Sequence, residues 1–186
     1  MTELNQAAEQ KSPDGEIEKT IDTLVVGAGQ AGVAMSEHLS KHGVPHLVLE
    51  RKRIAEAWRT GRWDSLVANG PAWHDRFPGL EFGLDPEAFV TKEQVADYFE
   101  TYAGKINAPI RTGVEVNKVV RKADKSGFTV ETSAGVIQAE RVVVATGPFQ
   151  RPVVPPIAPQ EDKLTQIHSA DYRNPEQLQE GAVLVV

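Results

Sequence analysis

The chain has 186 residues and a mass of 20.3 kDa, the size of one domain and a fraction of a second. Its 20 Lys and Arg against 26 Asp and Glu give a net charge of −6, which argues against non-specific binding to nucleic acid or to an anionic membrane. Cysteine is absent, so these residues hold no disulfide scaffold, thiolate metal site, cysteine nucleophile or dithiol relay, and any redox chemistry must reside in a bound cofactor.

Residues 1–20 carry Glu3, Glu9, Glu16 and Glu18 and little that is apolar, which predicts a disordered leader. They lack the basic start and apolar stretch of a secretory signal, and no run reaches the ~20 apolar residues of a membrane span. A soluble, cytoplasmic chain is expected. Order begins at Ile21, where Ile21–Val26 is short and β-rich, as a buried strand is. The glycine-rich Gly27-Ala28-Gly29-Gln30-Ala31-Gly32 follows at once. Val33 to His42 then has the spacing of a helix packed on a sheet, with Gly43 as its C-terminal cap. Val44 to Glu50 reads as a second strand, completing a βαβ unit for which parallel pairing is expected.

From Arg51 to Pro78 no period is sustained, and three Trp stand among several Arg. A long irregular segment of this kind usually covers a ligand. Helical spacing returns from Thr91, a plausible N-cap, to Ala103 through Val95, Tyr98, Phe99 and Tyr102. Ile110–Val120, Gly127–Thr132, Val136–Ala139 and Arg141–Ala145 read as strands, with turns at Asp124–Gly127 and Ser133–Gly135. Together they suggest a β-meander inserted into the parallel sheet. Pro148, Pro152, Pro155, Pro156 and Pro159 mark a stiff linker, and Ala182–Val186 resembles the start of another buried strand. The expected organisation is a leader over 1–20, a dinucleotide-binding domain over 21–150, a linker over 151–180, and the first strand of a second domain over 181–186.

Gly27-x-Gly29-x-x-Gly32 sits where such a pattern has meaning, after a strand and at the start of a helix. The first glycine permits the tight turn, the second lets a pyrophosphate approach the backbone, and the third lets helix and strand pack closely. The helix N-terminus offers unpaired N–H groups and partial positive charge to the phosphates. Glu50, eighteen residues beyond Gly32 at the end of the second strand, is placed to accept hydrogen bonds from an adenosine ribose. NAD and FAD share that adenosine half, so the local motif does not choose between them. Glu50 would repel a ribose 2′-phosphate, which argues against NADP here. Arg51-Lys52-Arg53 would soften that repulsion, although a solvated basic turn is the plainer reading.

Val142-Val143-Val144-Ala145-Thr146-Gly147 closes the meander as a hydrophobic strand ending in a small-residue turn. Here the chain resembles flavoproteins with two dinucleotide-binding domains, whose FAD domain carries a second Ala-Thr-Gly signature. Trp58-Arg59, Arg62-Trp63-Asp64-Ser65-Leu66 and Asn69-Gly70-Pro71 narrow the resemblance to the flavin-containing monooxygenase-like family. The likeness runs from about Ile21 to Val186. It implies a Rossmann-like, doubly wound α/β fold binding FAD, with a meander insertion and truncation at the start of an NADP-binding domain. By the same resemblance Gly27, Gly29, Gln30, Ala31 and Gly32 would hold the FAD pyrophosphate, and Glu50 with Arg51 the adenosine side. Trp58 and Arg59 would lie over the pyrophosphate-to-flavin stretch, the Val116 backbone would meet the adenine, and Ala145, Thr146 and Gly147 would close the far side. Asn69 matches an asparagine that assists oxygen chemistry at the flavin. The threonine that usually follows it is Gly70 here, and a plain turn before Gly-Pro is the competing reading. His168 to Tyr172 resembles the end of the stretch that identifies such monooxygenases, but Asp162 and Leu164 replace its Phe and Gly.

The resemblance implies an FAD-dependent, NADPH-using monooxygenase acting on a small molecule and oxygen, or an N-terminal fragment of one whose C-terminal half is encoded separately. Two alternatives stay open: a flavin reductase or dehydrogenase without oxygenation, and a non-enzymatic dinucleotide-binding regulatory module. The missing cysteines disfavour a disulfide reductase. Metal binding by His38, His42 and His46 is disfavoured because no carboxylate or cysteine completes the set and Pro45 intervenes. Phe99 and Tyr102 read as core.

Overall fold

In the computed structural model, which describes residues 20–148, 151–154 and 164–185, the glycine-rich segment joins a strand to a helix as its sequence context demands. β1 (Thr20–Val26) runs into α1 (Gln30–Lys41), and β2 (His46–Glu50) pairs parallel to β1 with Val25 opposite Val48. Gly43 caps α1 with φ +65°, its N–H donating to Ser40 O while Val44 N–H reaches Leu39 O. This left-handed close satisfies the last carbonyls of the helix.

The irregular segment contains the short α2 (Glu56–Thr60) and β3 (Val67–Pro71), which pairs antiparallel with β4 (Phe89–Thr91). α3 (Lys92–Lys105) starts at Thr91, whose side chain accepts from Gln94 N–H while the Gln94 side chain returns to Thr91 N–H. That reciprocal cap is what Thr-x-x-Gln provides.

Two strand boundaries differ from expectation. Ile110–Val120 is two strands, β5 (Ile110–Thr112) and β6 (Val116–Arg121), broken at Gly113 with φ +76°. β5 pairs parallel to β2, whereas β6 pairs with β7 (Phe128–Thr132), so the chain must turn between them. Conversely, Val136–Ala139 and Arg141–Ala145 merge into β8 (Gly135–Val144), because one strand serves β7 antiparallel and β1 parallel. The meander is therefore not a separate layer. It extends one six-stranded sheet of order β5-β2-β1-β8-β7-β6.

Val25 and Val48 pack with Met35 and Leu39 of α1, while Leu24 and Leu49 pack with Val130 and Ile137 of the meander. Each such side chain, fully removed from water, contributes about 1.5–3 kcal/mol. Val33 of α1 meets Tyr102 and Ala103 of α3, and a fourth cluster joins Val90, Val95 and Phe99 to Trp58, Phe77 and Leu80. Phe99 and Tyr102 are core residues, as expected. Glu37 on α1 is held ionised below the usual glutamate range, first by Lys41 one turn away at 2.7 Å. Burial and the facing Glu37 raise the Tyr102 phenol.

The leader, except Thr20, falls outside the described residues, as do 149–150, most of the proline-rich stretch (155–163) and Val186. Ala182–Val185 was expected as a strand but is exposed and unpaired. No described strand lies beside it to take its N–H and C=O groups, and a strand is defined by that pairing.

Candidate functional site

The site is built where β1, β2 and β8 end and α1 begins. Gly27 adopts φ +104°, and its N–H donates to Leu49 O at 2.8 Å. A Cβ on Gly32 would lie 1.9 Å from Gly27 O, so helix and turn touch backbone to backbone. A Cβ on Gly29 would meet nothing within 4 Å. The three glycines thus divide as the sequence predicts: one turns, one packs, and one faces open space.

Gly29 is the N-cap of α1, with no side-chain cap and no acidic residue in the first turn. The first intrahelical bond is Val33 N–H to Gly29 O. The N–H groups of Gln30, Ala31 and Gly32 therefore lack an intrahelical acceptor and carry the positive end of the helix dipole. An anion is the natural complement.

Glu50 seals one side of the turn. One carboxylate oxygen accepts from Ala28 N–H and the other from Lys52 N–H, both at 2.9 Å. Ala28 O in turn accepts from Ala55 N–H at 3.0 Å, and the buried Ala55 takes left-handed φ +57°. A non-glycine residue there is strained, and the strain folds the following segment over the turn. Trp58 then reaches Gln30, its Nε1–H donating to Gln30 Oε1 at 3.2 Å, with the Arg62 guanidinium 5.4 Å from its ring centroid. Arg51 is exposed beside Glu50.

Arg59 is engaged elsewhere than expected. It donates to Asp97 at 2.8 Å and to Glu100 at 2.7 Å, both on α3, and its Nε is buried without a partner. The carboxylates one turn apart on α3 capture a cation that the family resemblance assigned to the ligand. Sequence reading missed this pair, although the i, i+3 acidic spacing was its available signal.

The second signature closes on the first. Ala145 N–H donates to Val26 O at 2.8 Å, and a Cβ on Gly27 would lie 2.6 Å from Ala145 O and 3.3 Å from Thr146 Cα. Thr146 and Gly147 are exposed beyond it, Gly147 with φ +78°. On the adenosine side, Val114 N–H donates to Glu50 O at 3.0 Å, which brings the segment leading to Val116 alongside the end of β2.

Asn69 is exposed within β3 and not in a turn, in the irregular stretch between Val67 and Pro71, which pair with β4 on either side of it. His168 to Tyr172 forms a local turn closed by Asp171 and Tyr172 N–H groups on His168 O, and the residues just after it dock at Asp64. His46 is a satisfied structural histidine, bonded to Ser36 Oγ and Val44 O. Among the described residues no cluster of three or more His, Cys, Asp or Glu could hold a metal ion.

Parallel strands β5-β2-β1-β8 within a mixed sheet, a glycine-rich turn entering an uncapped helix, and an acidic residue closing the second strand define a Rossmann-like dinucleotide-binding domain. The chain belongs to the pyridine nucleotide-disulphide oxidoreductase family, which it matches over residues 24–186. Within it, the chain corresponds to the N-terminal region of flavin-monooxygenase-like proteins. It is 45% identical over 168 residues to an uncharacterized CzcO-like oxidoreductase of Geobacillus kaustophilus, covering 89% of this chain and 47% of that protein. It is 33% identical over 167 residues to indole-3-pyruvate monooxygenase YUCCA1 of Oryza sativa subsp. japonica, covering 88% of this chain and 41% of that protein. Among solved structures, a flavin-containing monooxygenase from Stenotrophomonas maltophilia matches with a TM-score of 0.63 at 22% identity, over 74% of this chain and 42% of that one. A bacillithiol disulfide reductase from Staphylococcus aureus matches with a TM-score of 0.62 at 15% identity, over 70% and 39%. These structural likenesses are of fold. The chain spans about half the length of the curated relatives it matches, or somewhat less. No helix among the described residues is long and apolar enough to cross a membrane.

Proposed function

We propose that the chain is the FAD-binding part of a flavin-dependent, NADPH-using monooxygenase acting on a small molecule and oxygen. The observation that carries this reading is the uncapped start of α1 beside the open space at Gly29, closed from behind by Ala145. FAD fits the residues present. The N–H groups of Gly29 to Gly32 suit a pyrophosphate, and Glu50 at the end of β2 suits a ribose diol while disfavouring a 2′-phosphate. In this reading Gly27, Gly29, Gln30, Ala31 and Gly32 bind the pyrophosphate, Glu50, Arg51 and the Val116 backbone the adenosine, and Trp58, Ala145, Thr146 and Gly147 enclose the remainder.

Bound flavin supplies hydride acceptance and oxygen activation; the protein orients the flavin and excludes water. In this reading Asn69, exposed on β3, would assist the oxygen chemistry that the flavin supplies. NADPH would bind a second domain following the linker, with residues 21–150 forming the flavin domain. The monooxygenase names among the relatives support oxygenation over a plain reductase. Cysteine-dependent disulfide reduction lacks a thiol in these residues.

FAD titrated into the chain, followed by flavin fluorescence, tests the reading. Weak binding is expected in the wild type, with at least tenfold further weakening in Gly29→Ala. The added methyl enters open space, so the variant stays folded, an N-cap change of this kind costing about 1 kcal/mol or less. Equal FAD binding by wild type and Gly29→Ala, or none by either, would refute the assignment.

A further inference from the structure

The sheet has an open side in its middle as well as at its ends. β7 pairs with β8 from Gly135 to Ala139, and past that point no described strand lies on that side of β8. Ala145 N–H donates to Val26 O, so the alternation of a strand turns the backbone N–H and C=O of Val143 toward β1 as well. Those of Val142 and Val144 then point the other way, into water. Val144 is 71% exposed.

This edge lacks the features that keep exposed strands from pairing. β6, at the outer end of the same sheet, carries Lys118 and Arg121, charges that discourage another strand. Val142-Val143-Val144 has no charge, no proline and no bulge. Apolar surface continues from it on both faces of the sheet. On the α1 side, Leu39, Val44, Pro45 and Val143 line a groove of about 440 Å³, with the Asp22–Arg141 ion pair also on its wall. On the other side, Val142 packs against the meander core and Val144 stands bare beyond it. A strand laid here would be apolar on both faces, as strands inside a parallel sheet are.

We propose that the Val142–Val144 edge and this groove receive an apolar β-strand from the part of such flavin-monooxygenase-like proteins that lies beyond the matched region, joined to this chain or separate. More than half of the Geobacillus kaustophilus relative lies outside the match, ample for one strand and the residues that fill the groove. The free donors and acceptors of Val142 and Val144 supply the affinity, and the groove selects apolar side chains. β8 leads straight into Ala145, whose carbonyl oxygen backs Gly27. A strand seated at the edge therefore also steadies one wall of the candidate site and tightens FAD binding there. That consequence rests on the flavin reading above; the docking itself does not.

Site-resolved amide hydrogen exchange tests the docking, on the 186-residue chain alone and on the same chain joined to the unmatched part of the Geobacillus kaustophilus relative. Alone, Val142 and Val144 should exchange fast and Val143 slowly. In the joined chain both should slow by roughly a hundredfold or more, as paired core strands do. Val144→Pro removes a free N–H and so costs the chain alone no ladder bond. Its Tm should hold, and in the joined variant Val142 should stay fast. Amides that stay fast in the joined wild type overturn the proposal. So does protection in the chain alone that is lost on dilution, because a second copy is then the occupant. FAD titration, followed by flavin fluorescence, should show roughly tenfold tighter binding by the joined wild type than by joined Val144→Pro. FAD bound equally by these two overturns the link to the candidate site; FAD bound by neither overturns the flavin reading, while the exchange result still decides the docking.

Discussion

Glu50, proposed to meet the ribose, also holds the local structure. Its two oxygens accept from Ala28 and Lys52 N–H, and Ala28 is fully buried, with no water to replace the lost partner. Leaving a buried donor unsatisfied costs about 1–3 kcal/mol. Glu50→Ala is therefore expected to lower Tm by several degrees. Glu50→Gln keeps one acceptor oxygen and should lose roughly half as much, a contrast that thermal unfolding of the two variants measures. An equal loss in both would mean that the charge, rather than the hydrogen bond, holds the turn. The sequence suggested Glu50 for the ribose; that it holds the glycine-rich turn in shape is visible only in the fold.

Among the elements, α3 does more than support the sheet. Its N-terminal cap and its buried stripe of Val95, Tyr98, Phe99 and Tyr102 set its axis. Two phenols on that stripe fasten the loop after β3. Tyr98 Oη accepts from Phe77 N–H at 2.6 Å and donates to Leu80 O at 2.9 Å, while Tyr102 donates to Pro78 O at 3.2 Å. Phe77 packs between them, 4.8 Å from the Tyr102 ring centroid. Burial raises the Tyr98 phenol above its usual range, so the hydroxyl keeps its donor hydrogen. Tyr98→Phe preserves the ring packing and strands one N–H and one carbonyl, for an expected loss of about 1–3 kcal/mol in denaturant unfolding. A variant as stable as the wild type would show that water replaces both bonds. The acidic outer face of α3, through Asp97 and Glu100, holds Arg59 and with it α2. One helix thus positions both segments that flank the candidate flavin path.

Across the whole chain, the described residues after the proline-rich stretch meet the earlier part of the chain at Asp64. Asp64 N–H donates to Arg173 O at 2.7 Å, and its carboxylate accepts from Asn174 Nδ2 at 2.7 Å. The same carboxylate faces Lys92 Nζ at 3.7 Å, a lysine whose side chain is only 8% exposed at the start of α3. A cation so nearly buried needs its counter-charge, and Glu93 supplies a second one at 3.4 Å. Asp64→Ala should release Arg173 and Asn174, giving several-fold faster tryptic cleavage after Arg173 while far-UV circular dichroism stays unchanged. Unaltered cleavage would show that the backbone bond alone holds the segment.

The elements legible in the sequence were those decided within a few residues of chain. Gly27-x-Gly29-x-x-Gly32 demands a turn whatever surrounds it, Thr91 and Gln94 cap their own helix, and Gly43 closes α1 through its freedom at positive φ. The opening βαβ unit and the location of the candidate site followed from these local requirements. Tertiary structure alone decided what depended on partners distant in the chain. Gly113 separates β5 from β6 because their pairing strands lie on opposite sides of the sheet, and β8 is continuous because β1 and β7 both need it. Arg59 goes to carboxylates 38 and 41 residues away. Hydrogen bonding and charge pairing across such separations depend on which surfaces packing brings together, and no local pattern of residues encodes that.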